Sequence, residues 1–556
     1  MASMTAKEAL CWALQSQGID CVFGNPGTTE IPFLDTLARF SAIRYISTLH
    51  ESVAVAMADG YARVSGRLGV ANVHAAPGTA NSLGMLFNAR RDNVPLLLLA
   101  GQQFSHSLLR EPMLSADLVQ MTEQFVKWSY QVNRPEEVPL ALARAFKTAI
   151  QPPRGPVFLA LPRDLLEGSV EVKEWPGPAH SFAHRLRGDR SDIERAAGLL
   201  LGAQAPVVLA GSEVQTSGAV KELMTLAETC ALRVYAPPGC LPWDYPLLSG
   251  SWRPMRHELT APLQGADLLL IVGGPMFREF PPVDLVLEIP VIHLDSDPWE
   301  IGKNYPIALG IMADPKAGLE DLCRALEQRI DGAQREALQE RSRAIAAANQ
   351  DARAARAKEL QESWESHPIS AARLVGEMSR VLDRGTLIVD EGTRSSSYLR
   401  RYYPFESGGY MTGEGGCLGW GLGAALGAKL AQPQRQVVAF IGDGSAAFSF
   451  QALWTAARYQ IAVPIIICNN GSYMAVKSAL SLYGGERVER RDYALADLTG
   501  IDFVALASSL GVEGRRVEKA QDLCSSLEWA LALGKPSLLE VMLDPHDAGH
   551  SIPRVS

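Results

Sequence analysis

Two apolar runs, each followed by a polar turn, constrain the fold of this chain more than any other stretch. Residues 437–441 form a β-type run that ends at Gly442-Asp443-Gly444-Ser445. A helix-compatible segment follows at 451–459, and a second apolar run at 463–468 ends at Asn469-Asn470-Gly471. The pattern predicts two parallel strands joined through a helix. Because ligands of open α/β sheets bind at the carboxyl ends of the strands, both turns should lie at one binding edge.

These turns offer the oxygen ligands that a hard cation requires. Mg²⁺ takes about six oxygens and favours one or two carboxylates together with phosphate oxygens. Asp443 offers a carboxylate, Asn470 an amide oxygen and Ser472 a backbone carbonyl. Gly442 and Gly444 let the backbone approach a phosphate, whose charge also suits a helix N-terminus. Two ordinary strand-end turns are the alternative, but their spacing and flanking strands together favour a metal-bridged diphosphate.

This pair of turns resembles the diphosphate motif of thiamine diphosphate-dependent enzymes, in which GDG is followed by NN one helix later. The resemblance covers nearly the whole chain and is strongest to the benzoylformate decarboxylase type; the chain also resembles acetolactate synthase large subunits. It implies thiamine diphosphate and Mg²⁺ as cofactors, with Asp443, Asn470 and Ser472 as metal ligands. The implied cofactor-binding residues are Glu51, Thr393, Leu418, Gly442, Asp443, Gly444, Ser445, Asn470, Ser472 and Tyr473.

Glu51 stands where a strand ends and a helix begins. A carboxylate at a helix start is often only a favourable contact with the helix dipole, which is the simpler interpretation. However, residues 54–63 resemble the helix that follows the cofactor-activating glutamate of thiamine enzymes. The resemblance implies that a largely buried Glu51 hydrogen-bonds the aminopyrimidine ring and takes part in proton transfer, from what we expect to be an apolar pocket.

A glycine-rich bend and a phosphate-contacting turn complete the implied cofactor site. Leu418 in the bend at 415–421 matches a bulky aliphatic residue that props the two cofactor rings into a bent conformation; without the resemblance it is a core leucine. Cys417 is an extra residue relative to the decarboxylase pattern. Thr393 matches the turn, whereas Arg394 replaces a small polar residue there.

The implied catalytic residues are Glu51, His74 and Thr28. A lone histidine at a strand end is usually structural, but in the resembled decarboxylases it acts on the substrate carboxylate and in proton transfer, for which histidine titrates in a suitable range. Thr28 stands where those relatives have a substrate-contacting serine. Phe280, beside Glu279, stands where they have a second active-site histidine. Because Phe cannot transfer protons, either another residue does so or the substrate differs from benzoylformate.

The whole chain alternates helices with short buried strands, which predicts the α/β class. At 556 residues it is too long for one core. We expect three doubly wound parallel-sheet domains: pyrimidine-binding at 1–175, central at 190–330 and diphosphate-binding at 368–556, with a helical connector at 331–367. The glycine turns that follow two central strands are too weak a signal to predict a bound flavin.

Composition excludes several classes of partner. A net charge of −9 argues against nucleic acid, which needs a basic footprint. Eight scattered cysteines without a CxxC pair predict reduced thiols rather than disulfides or a zinc site. No apolar run approaches the ~20 residues that span a bilayer, and no secretory signal opens the sequence. We therefore expect a cytoplasmic protein without a membrane or nucleic-acid partner.

The resemblance implies a lyase that converts a small-molecule 2-oxo acid to an aldehyde, as a homodimer or homotetramer with shared active sites. An acetolactate synthase-like carboligase that joins or cleaves 2-hydroxy ketones is the alternative, and the loss of the second histidine favours it. A non-catalytic regulatory or assembly protein is a third possibility. Intact Glu51, Asp443 and Asn470 argue against it.

Overall fold

The structure, a computed structural model, describes residues 2–172, 185–253, 259–274, 287–365 and 367–550. Phe280 and Glu279 lie outside the described residues, so the structure does not address the predicted loss of the second histidine. The chain divides into two compact units. One comprises Met1–Phe182, Ser366–Tyr398 and Met411–Ser556, and the other comprises Ala183–Glu365 and Leu399–Tyr410.

The amino-terminal segment is built around a parallel sheet. Its strands are β1 (Ala2–Thr5), β2 (Cys21–Asn25), β3 (Arg44–Ser47), β4 (Gly69–His74), β5 (Leu96–Gln102), β6 (Trp128–Gln131), β7 (Pro156–Pro162) and β8 (Ser169–Val172). Its helices are α1 (Ala6–Ser16), α2 (Ile31–Leu37), α3 (Glu51–Ser65), α4 (Ala75–Arg91), α5 (Leu118–Thr122) and α6 (Val138–Ile150). Six strands pair in the order β3-β2-β4-β5-β7-β6, and β1 pairs antiparallel with β8. Strands β5 and β7 are buried along their whole length, as expected when helices cover both faces.

The second unit contains another parallel sheet. Its strands are β9 (Pro206–Ala210), β10 (Arg233–Ala236), β11 (Leu248–Ser251), β12 (Leu268–Val272), β13 (Val291–Asp295) and β14 (Leu309–Met312). Its helices are α7 (Arg190–Gly202), α8 (Ser212–Thr216), α9 (Val220–Cys230), α10 (Thr260–Leu263), α11 (Pro315–Glu327) and α12 (Gly332–Glu362). The strand order β11-β10-β9-β12-β13-β14 is the one found in dinucleotide-binding sheets. Helix α12 lies in the segment predicted to be a helical connector, and Asn349 is the only residue of this helix that is buried.

The carboxyl-terminal segment forms the third sheet. Its strands are β15 (Leu387–Glu391), β16 (Tyr410–Thr412), β17 (Val437–Gly442), β18 (Pro464–Asn469), β19 (Glu513–Val517) and β20 (Ser537–Met542). Its helices are α13 (Ala371–Val381), α14 (Ser396–Tyr402), α15 (Trp420–Ala431), α16 (Asp443–Ser449), α17 (Ala452–Arg458), α18 (Met474–Tyr483), α19 (Glu486–Glu489), α20 (Phe503–Ser509) and α21 (Leu523–Ala532). The strand order is β16-β15-β17-β18-β20-β19.

The first and third sheets therefore share one topology. When the strands of each sheet are numbered along the chain, both have the order 2-1-3-4-6-5. The predicted fold class, three parallel-sheet α/β domains, is confirmed. The predicted residue boundaries of the domains stay predictions.

One local expectation needs correction. The predicted turn at Gly442-Asp443-Gly444-Ser445 is in fact the end of β17 and the first turn of α16, which begins at Asp443. The chain enters the helix directly from the strand because Gly442 is the extended N-cap residue and the Asp443 carboxylate accepts the Gly444 N–H at 2.7 Å. Two short helices, rather than a turn and one helix, thus connect β17 to β18.

Within the first unit, α3 and α15 cross at very close range. A Cβ atom at Gly60 would lie 2.1 Å from the Ala424 carbonyl oxygen, and one at Gly427 would lie 2.0 Å from that of Met57. The Trp420 indole N–H donates to Asp59 at 2.9 Å. The core of this unit is therefore continuous between its amino-terminal and carboxyl-terminal sheets.

Two further expectations concern the whole chain. All eight cysteines are free thiols. In the described part of the chain, no helix is long and apolar enough to cross a membrane.

Candidate active site

The ends of β17 and β18 bring three of the predicted residues together. These strands are parallel neighbours, with Gly442 opposite Cys468. The Asp443 carboxylate accepts the backbone N–H groups of Asn470 and Ser472, both at 3.2 Å. The predicted juxtaposition of Asp443, Asn470 and Ser472 is thus present, and backbone donors hold the carboxylate in place.

The electrostatics of Asp443 suit a cation. Burial raises the pKa of Asp443 to about 6, although backbone hydrogen bonds from Gly444 and Ser472 lower it. A bound cation would favour the ionised carboxylate. No group of three His, Cys, Asp or Glu side chains that could hold a metal occurs within the described ranges. A cation here would therefore rely on one carboxylate completed by amide, carbonyl and ligand oxygens, which is the donor set that Mg²⁺ accepts.

The surroundings of Asp443 contain an unpaired donor and a close backbone approach. The Ser445 hydroxyl is buried and has no hydrogen-bond partner in the described structure. A Cβ atom at Gly444 would lie 2.6 Å from the Tyr473 ring, so only glycine fits there. Thr393 has a left-handed φ of +52°, which is unusual for a β-branched residue. Such strain concentrates at functional sites, and the unpaired hydroxyl marks a place where an anionic oxygen would be satisfied.

Glu51 is the first residue of α3 and is buried, with 7% of its surface exposed. Its two carboxylate oxygens accept the side-chain amides of Asn25 and Asn81, each at 3.0 Å. The N-cap of α3 is His50, whose Nδ1 accepts the Ser52 N–H. The expectation of an apolar pocket around Glu51 was wrong, because side-chain amides from two separate segments flank the carboxylate.

His74 ends β4 and contacts two residues that the sequence analysis did not select. Its Nδ1 lies 3.0 Å from a carboxylate oxygen of Glu30 and 2.8 Å from the Thr29 hydroxyl. Hydrogen bonding to Glu30 raises the pKa of His74, against the effect of burial. Glu30 also accepts the N–H groups of Gly27 and Gly101, both at 2.8 Å, so its position is fixed. In the sequence, the position of Thr29 and Glu30 directly after the turn that follows a strand could have indicated that they belong to the site.

Thr28 is exposed, and it is the neighbouring Thr29 that meets His74. The predicted substrate contact by Thr28 stays a prediction. Ala75, which follows His74, has a φ of +45°, a second strained residue beside a candidate catalytic group.

The bend that carries Leu418 is anchored by a further unpredicted residue. Glu391, at the end of β15, accepts the N–H groups of Gly419, Trp420 and Gly421 at 2.9, 3.1 and 2.9 Å. Burial raises the pKa of Glu391 to about 7, and these three donors oppose the shift. Leu418 itself is half-buried next to this anchor.

The site residues thus form two groups. The Glu51 group contains Glu51 and His74 with their partners, and the Asp443 group contains Asp443, Asn470 and Ser472. Within the described residues, no hydrogen bond or ion pair joins one group to the other.

Comparison with known proteins defines the class to which this fold and site belong. Residues 4–122 match the thiamine pyrophosphate enzyme N-terminal TPP binding domain, residues 193–322 the central domain, and residues 392–541 the C-terminal TPP binding domain. The chain belongs to the thiamine pyrophosphate (thiamine diphosphate) enzyme family and is a thiamine diphosphate-dependent enzyme. The Glu51 group lies within the first match and the Asp443 group within the last.

The chain is also similar to individual proteins of this family. The chain is 34% identical over 546 residues to a benzoylformate decarboxylase of Pseudomonas aeruginosa, covering 95% of this chain and 97% of that protein. It is 28% identical over 568 residues to an acetolactate synthase large subunit of Haemophilus influenzae, covering 100% and 96%. Among solved structures, the thiamine diphosphate-dependent 4-hydroxybenzoylformate decarboxylase of Rhodococcus jostii RHA1 superimposes with a TM-score of 0.83 at 30% identity, covering 97% and 99%.

Proposed function

We propose that this enzyme uses thiamine diphosphate and Mg²⁺ to decarboxylate a 2-oxo acid to an aldehyde. The observation that carries the proposal is the buried Asp443 carboxylate, which the N–H groups of Asn470 and Ser472 orient, two residues before the buried and unpaired Ser445 hydroxyl. Two relatives named as decarboxylases of aromatic 2-oxo acids support the reaction type.

The described residues fit the cofactor. Asp443, Asn470 and the Ser472 carbonyl would ligate Mg²⁺, although the Asn470 amide oxygen now accepts the Ser472 N–H at 3.1 Å and would be shared with the metal. The diphosphate contacts would come from Thr393, Gly442, Gly444, Ser445 and Tyr473, with Leu418 and Glu51 against the rings. When bound, thiamine diphosphate supplies the electron sink that allows the substrate carboxylate to leave as CO₂.

The chain's own groups handle protons and charge. Glu51 holds and transfers a proton at its carboxylate, which Asn25 and Asn81 keep in one orientation. His74 donates its Nδ1 hydrogen toward Glu30, so its Nε2 is the nitrogen that gains or loses a proton. A protonated His74 would bind the substrate carboxylate by a charge-assisted hydrogen bond.

A panel of 2-oxo acids, incubated with the protein, thiamine diphosphate and Mg²⁺, tests the proposal by CO₂ release. We expect release that depends on both cofactors and is lost with chelator. The proposal would be overturned if protein that binds the cofactor released no CO₂ from any acid in a panel of aromatic and aliphatic members.

A carboligase is the second candidate, favoured by Phe280 at the position of the second histidine and by the acetolactate synthase relative. Without that proton donor, carbon–carbon bond formation with another carbonyl competes better with protonation. Product analysis with and without an added aldehyde separates the two: a decarboxylase gives free aldehyde in both cases, whereas a carboligase gives a 2-hydroxy ketone when the acceptor is present.

We also propose that the enzyme works in the cytoplasm as a homodimer or homotetramer. Eight free thiols fit a reducing compartment. Within the described residues no hydrogen bond joins the Glu51 group to the Asp443 group. This supports a site completed by a second copy, because one cofactor must be held at both ends.

A further inference from the structure

The segment that leads into Leu418 is held from two sides. It runs from the end of β16 at Thr412 to the start of α15 at Trp420. On one side Glu391 accepts the three N–H groups that follow Leu418, as described above. On the other side, helices α3 and α4 of the amino-terminal segment supply the partners.

Three residues at the carboxyl-terminal ends of those helices bind the segment. Arg63 donates to the Thr412 carbonyl at 2.9 Å. Asp92, just after α4, accepts the Glu414 N–H at 3.1 Å. Asn88, which is 1% exposed, makes two hydrogen bonds to Cys417: its amide donates to the carbonyl at 2.8 Å, and its oxygen accepts the N–H at 3.0 Å.

The fit around Asn88 is tight. A Cβ atom at Gly415 would lie 2.3 Å from the Asn88 side-chain oxygen, and one at Gly84 would lie 2.7 Å from the Cys417 sulfur. A side chain at Gly415 would also meet the Asn88 Cα at 2.7 Å, so glycine is needed there. The segment therefore packs closely against α4 beside Cys417.

We propose that Asn88 is a positioning residue for Leu418: by binding both backbone polar groups of Cys417, it sets the path of the chain into Leu418 and thereby the affinity for thiamine diphosphate. The proposal deepens and rests on the proposed function, in which Leu418 supports the cofactor rings. Cys417 and Gly419 are the neighbours of Leu418. The buried Asn88 side chain from helix α4 binds Cys417, and the half-buried Glu391 side chain from strand β15 binds Gly419. A site held in this way is preorganised, so binding does not have to order it.

Asn88 is well suited to this task because an amide alone pairs with both groups of one peptide residue. An alanine would leave the partly buried N–H and carbonyl of Cys417 without their partner, and the segment would relax. An aspartate would keep the acceptor for the N–H but would place a negative charge against the carbonyl. The affinity of Asn88→Asp for thiamine diphosphate should therefore be lower than that of the parent.

A double-mutant cycle on cofactor affinity tests the proposal. Asn88→Ala, Leu418→Ala and the double variant are titrated with thiamine diphosphate by calorimetry at saturating Mg²⁺. We expect Asn88→Ala to weaken binding about tenfold, as the loss of a buried hydrogen-bonded pair predicts. Because Asn88 acts through Leu418, the double variant should bind no more weakly than Leu418→Ala.

The matched control is Asn349→Ala in the other unit, which removes a buried amide that donates to the Pro246 carbonyl at 2.8 Å. It should lower the melting temperature without changing cofactor affinity. Unchanged affinity in Asn88→Ala, or additive losses in the double variant, would overturn the positioning role. If Asn88→Ala does not fold, Asn88→Asp takes its place in the same cycle.

The two proposals fail differently. A parent protein that does not bind thiamine diphosphate overturns the proposed function, and this inference with it. A parent that binds the cofactor, together with an Asn88→Ala variant that binds equally well, overturns this inference alone. Neither outcome depends on turnover of the loaded enzyme.

Discussion

Both carboxylate oxygens of Glu51 meet asparagine amides in a buried position, so the group is oriented before any ligand arrives. We predict that Glu51→Gln nearly abolishes turnover while thiamine diphosphate still binds, because an amide keeps the shape but cannot transfer the proton. Steady-state kinetics and calorimetry check the two halves of this prediction. The exposed Glu136→Gln in the same segment is the control and should retain full activity. Activity of Glu51→Gln within about tenfold of the parent, ~1.4 kcal/mol of barrier, would contradict the assignment.

The contact between His74 and Glu30 predicts a titration shift. The Glu30 hydrogen bond raises the pKa of His74, so Glu30→Gln should lower it and leave more neutral imidazole at any given pH. Diethyl pyrocarbonate modifies neutral imidazole, and peptide mass spectrometry reads each histidine separately. The midpoint of His74 modification should therefore move to lower pH in the variant.

His106 serves as the internal reference for that experiment. It is exposed, its Nδ1 lies 3.6 Å from a carboxylate oxygen of Asp164, and within the described residues it makes no hydrogen bond or ion pair with Glu30. Its modification profile should be the same in both proteins. An unchanged His74 midpoint alongside unchanged His106 would show that Glu30 does not control the protonation of His74.

Individual residues show how far sequence reasoning reaches at this scale. Asp443, Asn470 and Ser472 could be placed together because each follows a strand end, and strand ends of neighbouring parallel strands meet. The asparagines around Glu51 could not, since they come from β2 and α4, and their convergence depends on tertiary packing. The contact of Thr29 with His74 lies within a short helical turn, and which side chain of such a turn faces the histidine is below the precision of any sequence pattern.

At the scale of elements, the junction of β17 with α16 and the end of β18 should act as one metal-binding unit. We predict that Asp443→Ala or Asn470→Ala abolishes Mg²⁺-dependent retention of thiamine diphosphate, because each removes one oxygen from a shell that tolerates few vacancies. Calorimetric titration with and without chelator measures the effect. Asn133→Ala, at an exposed loop position, is the control. Equal affinity for thiamine diphosphate in the parent and both variants would show that these residues do not bind the metal.

The crossing of α3 and α15 gives a prediction about stability. Gly427→Ala should destabilise the protein by ~1–3 kcal/mol, because the added methyl would enter the Met57 carbonyl and force the helices apart. Thermal or denaturant unfolding measures the change. Gly332→Ala, at the start of α12 with open space around it, is the matched control and should be neutral or slightly stabilising. A Gly427→Ala protein as stable as the parent would mean that the crossing is looser than described.

The strands predicted most accurately from sequence are buried, continuous apolar runs. The apolar runs at 437–441 and 463–468 correspond to β17 and β18 within one residue at each end, because both strands are buried along their whole length. Strands β6, β11 and β19 were not identified; they lie at sheet edges and read as Trp-Ser-Tyr-Gln, Leu-Ser-Gly-Ser and Glu-Gly-Arg-Arg-Val. An edge strand exposes one side and needs no apolar run, so its sequence cannot be distinguished from that of a loop.

At the scale of the whole molecule, the first and third sheets share one strand order, and each carries one of the two groups that we propose form the site. The Glu51 group lies at the carboxyl edge of one sheet and the Asp443 group at the corresponding edge of the other. Yet these groups are not joined by a hydrogen bond within the described chain, whereas the helices behind them, α3 and α15, pack tightly. In the proposed two-fold dimer the Glu51 group of one subunit would face the Asp443 group of the other, and each such contact would occur twice.

Subunit complementation tests that arrangement. Glu51→Gln chains and Asp443→Ala chains are each expected to be inactive alone. A mixed dimer with shared sites has one site that carries both changes and one that carries neither, so each mixed dimer should regain about half of the parent activity. Native mass spectrometry measures the fraction of mixed dimers, and the recovered activity should rise in proportion to it. Mixing Glu51→Gln chains with Glu51→Gln/Asp443→Ala chains is the control, because every site then keeps a defective Glu51 position and no activity should return. Verified exchange without recovery, or an active monomer by light scattering, would place both groups of one site in a single chain.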